Sequence, residues 1–374
     1  MAVQPNLEAP GSSLRVLLAG GGSGGSVTPL IAVAERLREL SPGVELLLVG
    51  TRSGPEQELA SAAGIPFDSI PSGKLRRYWS WENLTDFARV AAGFGASVKL
   101  VREFHPQVAV GAGGYASVPP LAAAALLGCP IHIHQQDVQI GLANRILSPL
   151  AQSYSVSLPA SLAHFALDRT VLTGNPVRLS VLSGNASRAM AHFQLEAELP
   201  LVLAMGGGTG ALGLNKIVAA AAPLLVEQCQ LLHLTGVGRA VPAQADPPRY
   251  RQLELVTTQM ADLLAAAAMV VGRAGMGTLS ELAALGKPAV VVSMPSSHQQ
   301  ANAGYFASRG AVLVCEQDAL TTEKLAEVVL SLLRAPEQLA ELGRNMRDAM
   351  PQDAADRVAG IVLGLARRWA VKAR

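Results

Sequence analysis

Residues 14–25 read LRVLLAGGGSGG and residues 200–210 read PLVLAMGGGTG. In each, an apolar run enters a glycine cluster, and an alanine- and leucine-rich helical pattern follows. Strand, glycine turn and helix in that order open a doubly wound α/β domain. Gly20 and Gly206 stand 186 positions apart in 374 residues, so the repeat predicts two tandem Rossmann-like domains. Further apolar runs surround the first copy, at 44–50 (VELLLVG), 108–114 (VAVGAGG) and 129–134 (CPIHIH). Others surround the second, at 231–238 (LLHLTGVG), 269–275 (MVVGRAG) and 288–295 (PAVVVSMP). Such runs suit parallel strands buried on both faces. Between them Leu84, Phe87, Ala91, Phe94, Val98 and Val101 recur at three and four, which predicts a helix over 84–104. The expected division is a first domain over 12–180, a linker over 181–198 and a second domain over 199–345. A helical segment over 346–374 is expected last, able to pack back on the first domain.

Composition narrows the function. Half the residues are apolar and 16% are charged, which excludes a disordered chain. Thirty Lys and Arg against 28 Asp and Glu give a net charge of +2, not the basic footprint of a nucleic-acid binder. Cys129, Cys229 and Cys315 lie far apart, so no disulfide scaffold or zinc ribbon is expected, and a reducing compartment fits. Residues 1–15 lack the apolar core of a signal peptide. The most apolar stretches, 116–131 and 263–271, are short or broken by Pro119 and Pro120. A spanning helix needs roughly 20 apolar residues, so none is expected.

Gly20, Gly22 and Gly25 satisfy GxGxxG, but a dinucleotide site needs an acid at the end of the second strand. That strand ends Leu48-Val49-Gly50-Thr51, with Glu45 at its beginning, so NAD is not expected. Ser26 and Ala211 stand where a P-loop carries lysine, which argues against ATP hydrolysis. A more general property survives: glycine turns let backbone N–H groups approach an anion, and the next helix adds its positive end. Four such turns, 20–25, 111–114, 206–210 and 272–277, are two per half. One alone could merely close a tight corner; four predict two phosphorylated ligands meeting in an interdomain cleft. Within RAGMGTLSE (273–281), Glu281 near a helix start is placed to accept both hydroxyls of a ribose. The simpler role for it is a charge favouring the helix dipole. His132 and His134 share a strand face, but no cysteine or carboxylate cluster accompanies them, so no metal is expected.

Taken together these motifs resemble the MurG family, the peptidoglycan glycosyltransferases that make lipid II. The matching stretches are GGGSGGSVTPLIAVAERL (20–37), GAGGYASVPPLAAA (111–124), HQQDVQIGLANRIL (134–147) and TGNPVR (173–178). They continue with GGGTGALGLN (206–215), RAGMGTLSELAALGKP (273–288) and HQQANA (298–303). The resemblance implies the GT-B fold, two Rossmann-like domains with parallel sheets facing a cleft. It also implies inverting transfer of N-acetylglucosamine from UDP to lipid I (undecaprenyl-pyrophosphoryl-muramoyl-pentapeptide), without metal or other cofactor. The donor UDP-N-acetylglucosamine is then expected on Arg178, Gly208, Thr209, Arg273, Gly275, Met276, Gly277, Thr278, Glu281, Gln299, Gln300 and Asn302. The acceptor diphosphate is expected on Gly22, Ser23, Gly24, Gly25, Gly113, Gly114 and Tyr115.

Departures from the family bear on the base that deprotonates the acceptor hydroxyl. The family's GGTGGH has Ser26 at its histidine, and its HEQN reads His134-Gln135-Gln136-Asp137 here. Serine is no base at neutral pH. Asp137, after a strand end on the expected acceptor side, is the candidate, with His134, a water or the leaving phosphate behind it. A helix- or loop-capping role is the simpler reading of Asp137. Lys74, Arg76 and Arg77 precede Tyr78, Trp79 and Trp81 in KLRRYWSW, a pairing of cations and interfacial aromatics that suits an anionic membrane surface. That places the protein peripherally at the cytoplasmic face. Two rival functions are a UDP-N-acetylglucosamine 2-epimerase and a non-catalytic nucleotide-sugar-binding protein. The aromatic–basic segment and the first pair of glycine turns argue against the former; Ser26 motivates the latter.

Overall fold

The structure, a computed structural model, describes residues 13–22, 24–52, 54–71, 82–208, 210–242, 249–294, 297 and 299–372. The chain divides into two compact units. The first comprises residues 1–136, 140–176 and 353–374; the second comprises 137–139 and 177–352.

The first unit holds β1 (Arg15–Ala19), β2 (Glu45–Gly50), β3 (Phe67–Ser69), β4 (Val108–Gly111), β5 (Ile131–Gln135), β6 (Ser153–Val156) and β7 (Thr170–Leu172). They form one sheet in the order β3-β2-β1-β4-β5-β6-β7, every pair parallel. Successive β1 side chains divide between two cores. Val16 and Leu18 pack with Leu30, Ile31, Ala34 and Leu37 of the helix Thr28–Leu40 and with Val358 and Val362. Leu17 and Ala19 pack on the other face with Leu100, Val101 and Leu121. Pro29 starts the helix Thr28–Leu40 without wasting a hydrogen bond, and its apolar residues at three- and four-residue spacing keep it on the sheet. The helix expected over 84–104 runs Glu82–Phe104.

The second unit holds β8 (Leu201–Met205), β9 (Gln230–Leu234), β10 (Tyr250–Leu253), β11 (Ala267–Gly272), β12 (Ala289–Ser293) and β13 (Val312–Glu316). Their order is β10-β9-β8-β11-β12-β13, again all parallel. The two sheets thus repeat one topology: the chain winds outward one way from the first strand, then returns to its other side.

Two expected boundaries differ. Residues 181–198 are no free linker, because Leu179–Leu182 and Ala186–His192 are short helices of the second unit. The Asn185 side chain caps the latter by accepting the Arg188 N–H at 3.1 Å. Asp262 accepts the Asn185 N–H at 2.7 Å and the Arg188 guanidinium at 2.6 and 2.9 Å, tying the segment down. The terminal segment is likewise not one helix: Pro336–Asp348 and Ala354–Lys372 are separated at Pro351, which disfavours helix in the residue before it. Only the second of them belongs to the first unit, where the Trp369 indole donates to the Gly128 carbonyl at 3.0 Å.

The first unit therefore needs residues that follow the whole of the second. Leu363→Ala is expected to remove about 2–5 kcal/mol from the first unit alone, as a truncated core leucine does. Trp79, Trp81 and Trp369 all lie outside 177–352, so denaturant titration followed by tryptophan fluorescence reads that unit. An unchanged midpoint would show that the helix is dispensable there.

Candidate functional site

In an open parallel sheet, the strands on either side of the point where winding reverses send their loops apart, leaving a crevice at their carboxyl ends. That point lies between β1 and β4 in the first sheet and between β8 and β11 in the second. All four glycine turns of the sequence follow these four strands.

In the first unit the turns touch. A side chain at Gly114, where φ is +81°, would collide with the Gly21 carbonyl. The Tyr115 ring lies over Gly22, and Gly113 and Gly114 lead into the 3-10 turn Tyr115–Ser117. Gly24, Gly25 and Ser26 form another 3-10 turn ahead of the helix Thr28–Leu40. Ser26 is buried, with its hydroxyl facing Gly114. Ser23 lies outside the described residues, as do Lys74, Arg76, Arg77, Tyr78, Trp79 and Trp81.

His134, weighed above as a base, is 2% exposed at the end of β5. Its Nδ1 lies 2.8 Å from the Ser155 hydroxyl and its Nε2 2.8 Å from Asn175 Oδ1. Burial lowers its pKa to about 4, so at neutral pH it is an uncharged member of a hydrogen-bonded network. His132 bridges Ser153 and Ser155, both at 2.8 Å, and burial lowers its pKa to about 3. Both rings are thus occupied by side-chain partners, and among the described residues no group of His, Cys, Asp or Glu could hold a metal ion. Asn144 is also buried, donating to the His134 carbonyl at 3.2 Å and Gln135 Oε1 at 2.7 Å.

One residue of this site carried no signal in the sequence. Glu56, at the start of the helix Glu56–Ala62 after β2, is 0% exposed. Its Oε1 accepts the Gly22 N–H, and the Thr51 hydroxyl lies 3.2 Å from both carboxylate oxygens. A helix-initiating glutamate usually faces solvent, which is why pattern alone passes over it.

In the second unit, Gly275 caps the helix Met276–Leu285, whose first turn contains Gly277 and Thr278. Met276 is buried in the core, so its contribution there is limited to its backbone. Glu281 lies in the second turn, its side chain 15% exposed and 3.1 Å from the Arg178 guanidinium. Burial raises the Glu281 pKa, opposed by Arg178. Gln299 approaches the same helix start, its Nε2 lying 3.6 Å from where a Gly275 Cβ would stand. Gln300 and Gly208 are exposed, and Thr209 is outside the described residues.

Two expected ligands are otherwise engaged. The Arg273 guanidinium donates to the Val292 carbonyl at 2.9 Å and to Gln317 Oε1, bracing β12 instead of reaching outward. Asn302 is 0% exposed. Its amide donates to Asp137 Oδ1 at 2.7 Å and to the Ala274 carbonyl at 3.1 Å, and its oxygen accepts the Val138 N–H at 3.0 Å. Asp137 itself, expected on the acceptor side, is grouped with the second unit through those bonds.

Comparison with known proteins agrees with this layout. Residues 16–156 match the glycosyltransferase family 28 N-terminal domain and residues 201–358 its C-terminal domain. A UDP-N-acetylglucosamine--N-acetylmuramyl-(pentapeptide) pyrophosphoryl-undecaprenol N-acetylglucosamine transferase of Lachnoclostridium phytofermentans is 34% identical, covering 93% of this chain and 98% of its own. Among solved structures, Acinetobacter baumannii MurG superposes with a TM-score of 0.69 at 24% identity, over 94% of this chain and 100% of that one. A putative UDP-N-acetylglucosamine 2-epimerase from Listeria monocytogenes has a TM-score of 0.71 over 93% and 95% of the chains, but at 12% identity it shares only the fold. With both catalytic-domain halves matched and a near-full-length relative of this closeness, the chain belongs to the MurG family within glycosyltransferase family 28.

Proposed function

We propose that this protein transfers N-acetylglucosamine from UDP to the muramoyl sugar of lipid I, producing lipid II with inversion at the anomeric carbon. The observation that carries the reading is Glu281, a mostly buried carboxylate one turn beyond a glycine-capped helix start. Backbone N–H groups at Gly275 to Thr278 take the diphosphate, and the Glu281 carboxylate takes the ribose hydroxyls. Exposed Gly208, with Thr209 next in sequence, borders the phosphates, and Gln299 and Gln300 attend the sugar. Arg178, already beside Glu281, supplies positive charge for the departing UDP. In the first unit, the turn Gly22 to Gly25 and the turn Gly113 to Tyr115 hold the acceptor diphosphate.

The acceptor hydroxyl oxygen bonds to the anomeric carbon as the bond from that carbon to the UDP phosphate oxygen breaks. The hydroxyl proton goes to Asp137, whose carboxylate Asn302 orients. His134 is left out of the proton path because both its ring nitrogens have partners.

The acceptor's lipid keeps the reaction at a membrane. Leu142, Ile146 and Leu150 repeat every fourth residue along the helix Leu142–Leu147 and the turn after it, each about two-fifths exposed, with Arg145 among them. Together with KLRRYWSW they suit peripheral attachment to an anionic surface at the cytoplasmic face. No helix among the described residues is long and apolar enough to cross a bilayer.

Incubation with radiolabelled UDP-N-acetylglucosamine and a short-chain lipid I analogue tests the activity. Label should appear in the disaccharide lipid; release of an epimerised UDP-sugar, or binding without turnover, would overturn the reading. Asp137→Asn keeps an oxygen for Asn302 to bind but cannot take a proton. It should lower kcat by at least about 100-fold with little change in donor affinity. Near-parental kcat would remove Asp137 as the base.

Glu281→Ala should weaken UDP binding by at least about tenfold in calorimetric titration, since each charged hydrogen bond is worth about 1.5–3 kcal/mol. Glu281→Gln, keeping one acceptor, should lose less. The folded pKa is raised, so parental affinity should fall on acidification through a midpoint above the ordinary 4.5. The Gln variant should lack that dependence.

Trp79→Ser with Trp81→Ser should reduce cosedimentation with anionic vesicles at least about tenfold, given about 1.5 kcal/mol or more for each large side chain withdrawn. UDP affinity should hold. Undiminished sedimentation would clear the segment of an anchoring role.

A further inference from the structure

The first glycine turn, read above as the acceptor's diphosphate cradle, is built around a carboxylate. Glu56 has no exposed surface and forms no ion pair among the described residues. A buried carboxylate is costly unless hydrogen bonds replace its water. Here the Gly22 N–H and the Thr51 hydroxyl do so. The neighbouring backbone has no room for side chains at Gly21 or Gly54. A Cβ at Gly21 would collide with Glu56 Oε1, and one at Gly54 with Oε2. Gly21 and Gly22 on one side and Thr51 and Gly54 on the other therefore close on the same two oxygens.

A purely structural plug would not require a charge, because an apolar side chain of similar volume fills such a space at least as well. What the carboxylate adds is a strong, directional acceptor for one amide of the turn. Gly22 sits at φ +90° with its N–H drawn inward to that acceptor. The direction of one peptide constrains those that follow it, here the residues that lead to the helix Thr28–Leu40. The shape of an anion-binding turn is set by such peptide orientations.

We propose that Glu56 is a positioning residue for the acceptor diphosphate, holding the Gly22 amide inward and thereby setting the turn on which the phosphates seat. The inference rests on the assignment of the 20–25 turn to the acceptor. It adds a residue from outside the turn, on the helix after β2.

Steady-state kinetics with a soluble lipid I analogue and UDP-N-acetylglucosamine test it on the full chain. Glu56→Ala should raise the acceptor KM at least about tenfold while the donor KM stays within about twofold. Glu56→Gln, whose amide oxygen still takes the Gly22 N–H, should recover at least about fivefold of that loss. If the Ala variant does not fold, Glu56→Asp, one methylene short of the amide, replaces it with the same expected split. An acceptor KM within about twofold of the parent, equal shifts for both substrates, or a Gln variant as poor as Ala would overturn the assignment. Parental turnover reads the activity separately. A parent without transfer sinks the transferase reading itself, whereas a working parent with an unmoved acceptor KM sinks only the role of Glu56.

Discussion

Reversal of winding in a parallel sheet is the constraint from which the rest follows. Because β1 pairs with both β2 and β4, and β8 with both β9 and β11, each sheet has one edge position where two adjacent loops diverge. Peptide groups there have no neighbouring strand to bond. Topology, not any single side chain, gathers these loops in one place. Glycine supplies close approach, as at Gly114 against the Gly21 carbonyl, and the following helices supply field.

The buried polar groups divide according to whether their hydrogen bonds are complete within the fold. His132, His134 and His233 are all neutralised by burial and hold strands together through serine, asparagine and tyrosine partners. Arg273 and Asn302 are spent in the same way, on β12 and on residues 137–139. Glu281 differs: its carboxylate is raised in pKa by burial and answered mainly by one arginine. A group left in that condition is poised to exchange a modest internal partner for a better external one.

The apolar centre of each domain was plain in the sequence, because β1, β4, β8, β11 and β12 are almost wholly apolar runs. The outer strands were not. β3, β6, β7, β10 and β13 are short or partly exposed, and stretches such as SYSV and YRQL carry no period that separates strand from loop. The positions of the glycine turns and of Glu281 near a helix start were legible because they are written in consecutive residues. Glu56 and Asn144 were not, since each works through a contact with a distant turn or strand that only the folded chain creates. Arg273 and Asn302 stand in motifs as polar residues, and only the fold shows the internal partners that each has.

The helix Ala354–Lys372 carries a consequence for biogenesis. Val358, Ala359, Val362 and Leu363 complete the core beneath β1, yet a ribosome makes them after every residue of the second unit. The half of the protein translated first cannot finish folding first. It must wait with part of its β-sheet uncovered, the kind of exposed apolar surface that recruits chaperones. The second unit, continuous from residue 177 to 352 apart from a three-residue strap, is under no such delay. Domain order in synthesis and domain order in folding should therefore be inverted in this chain.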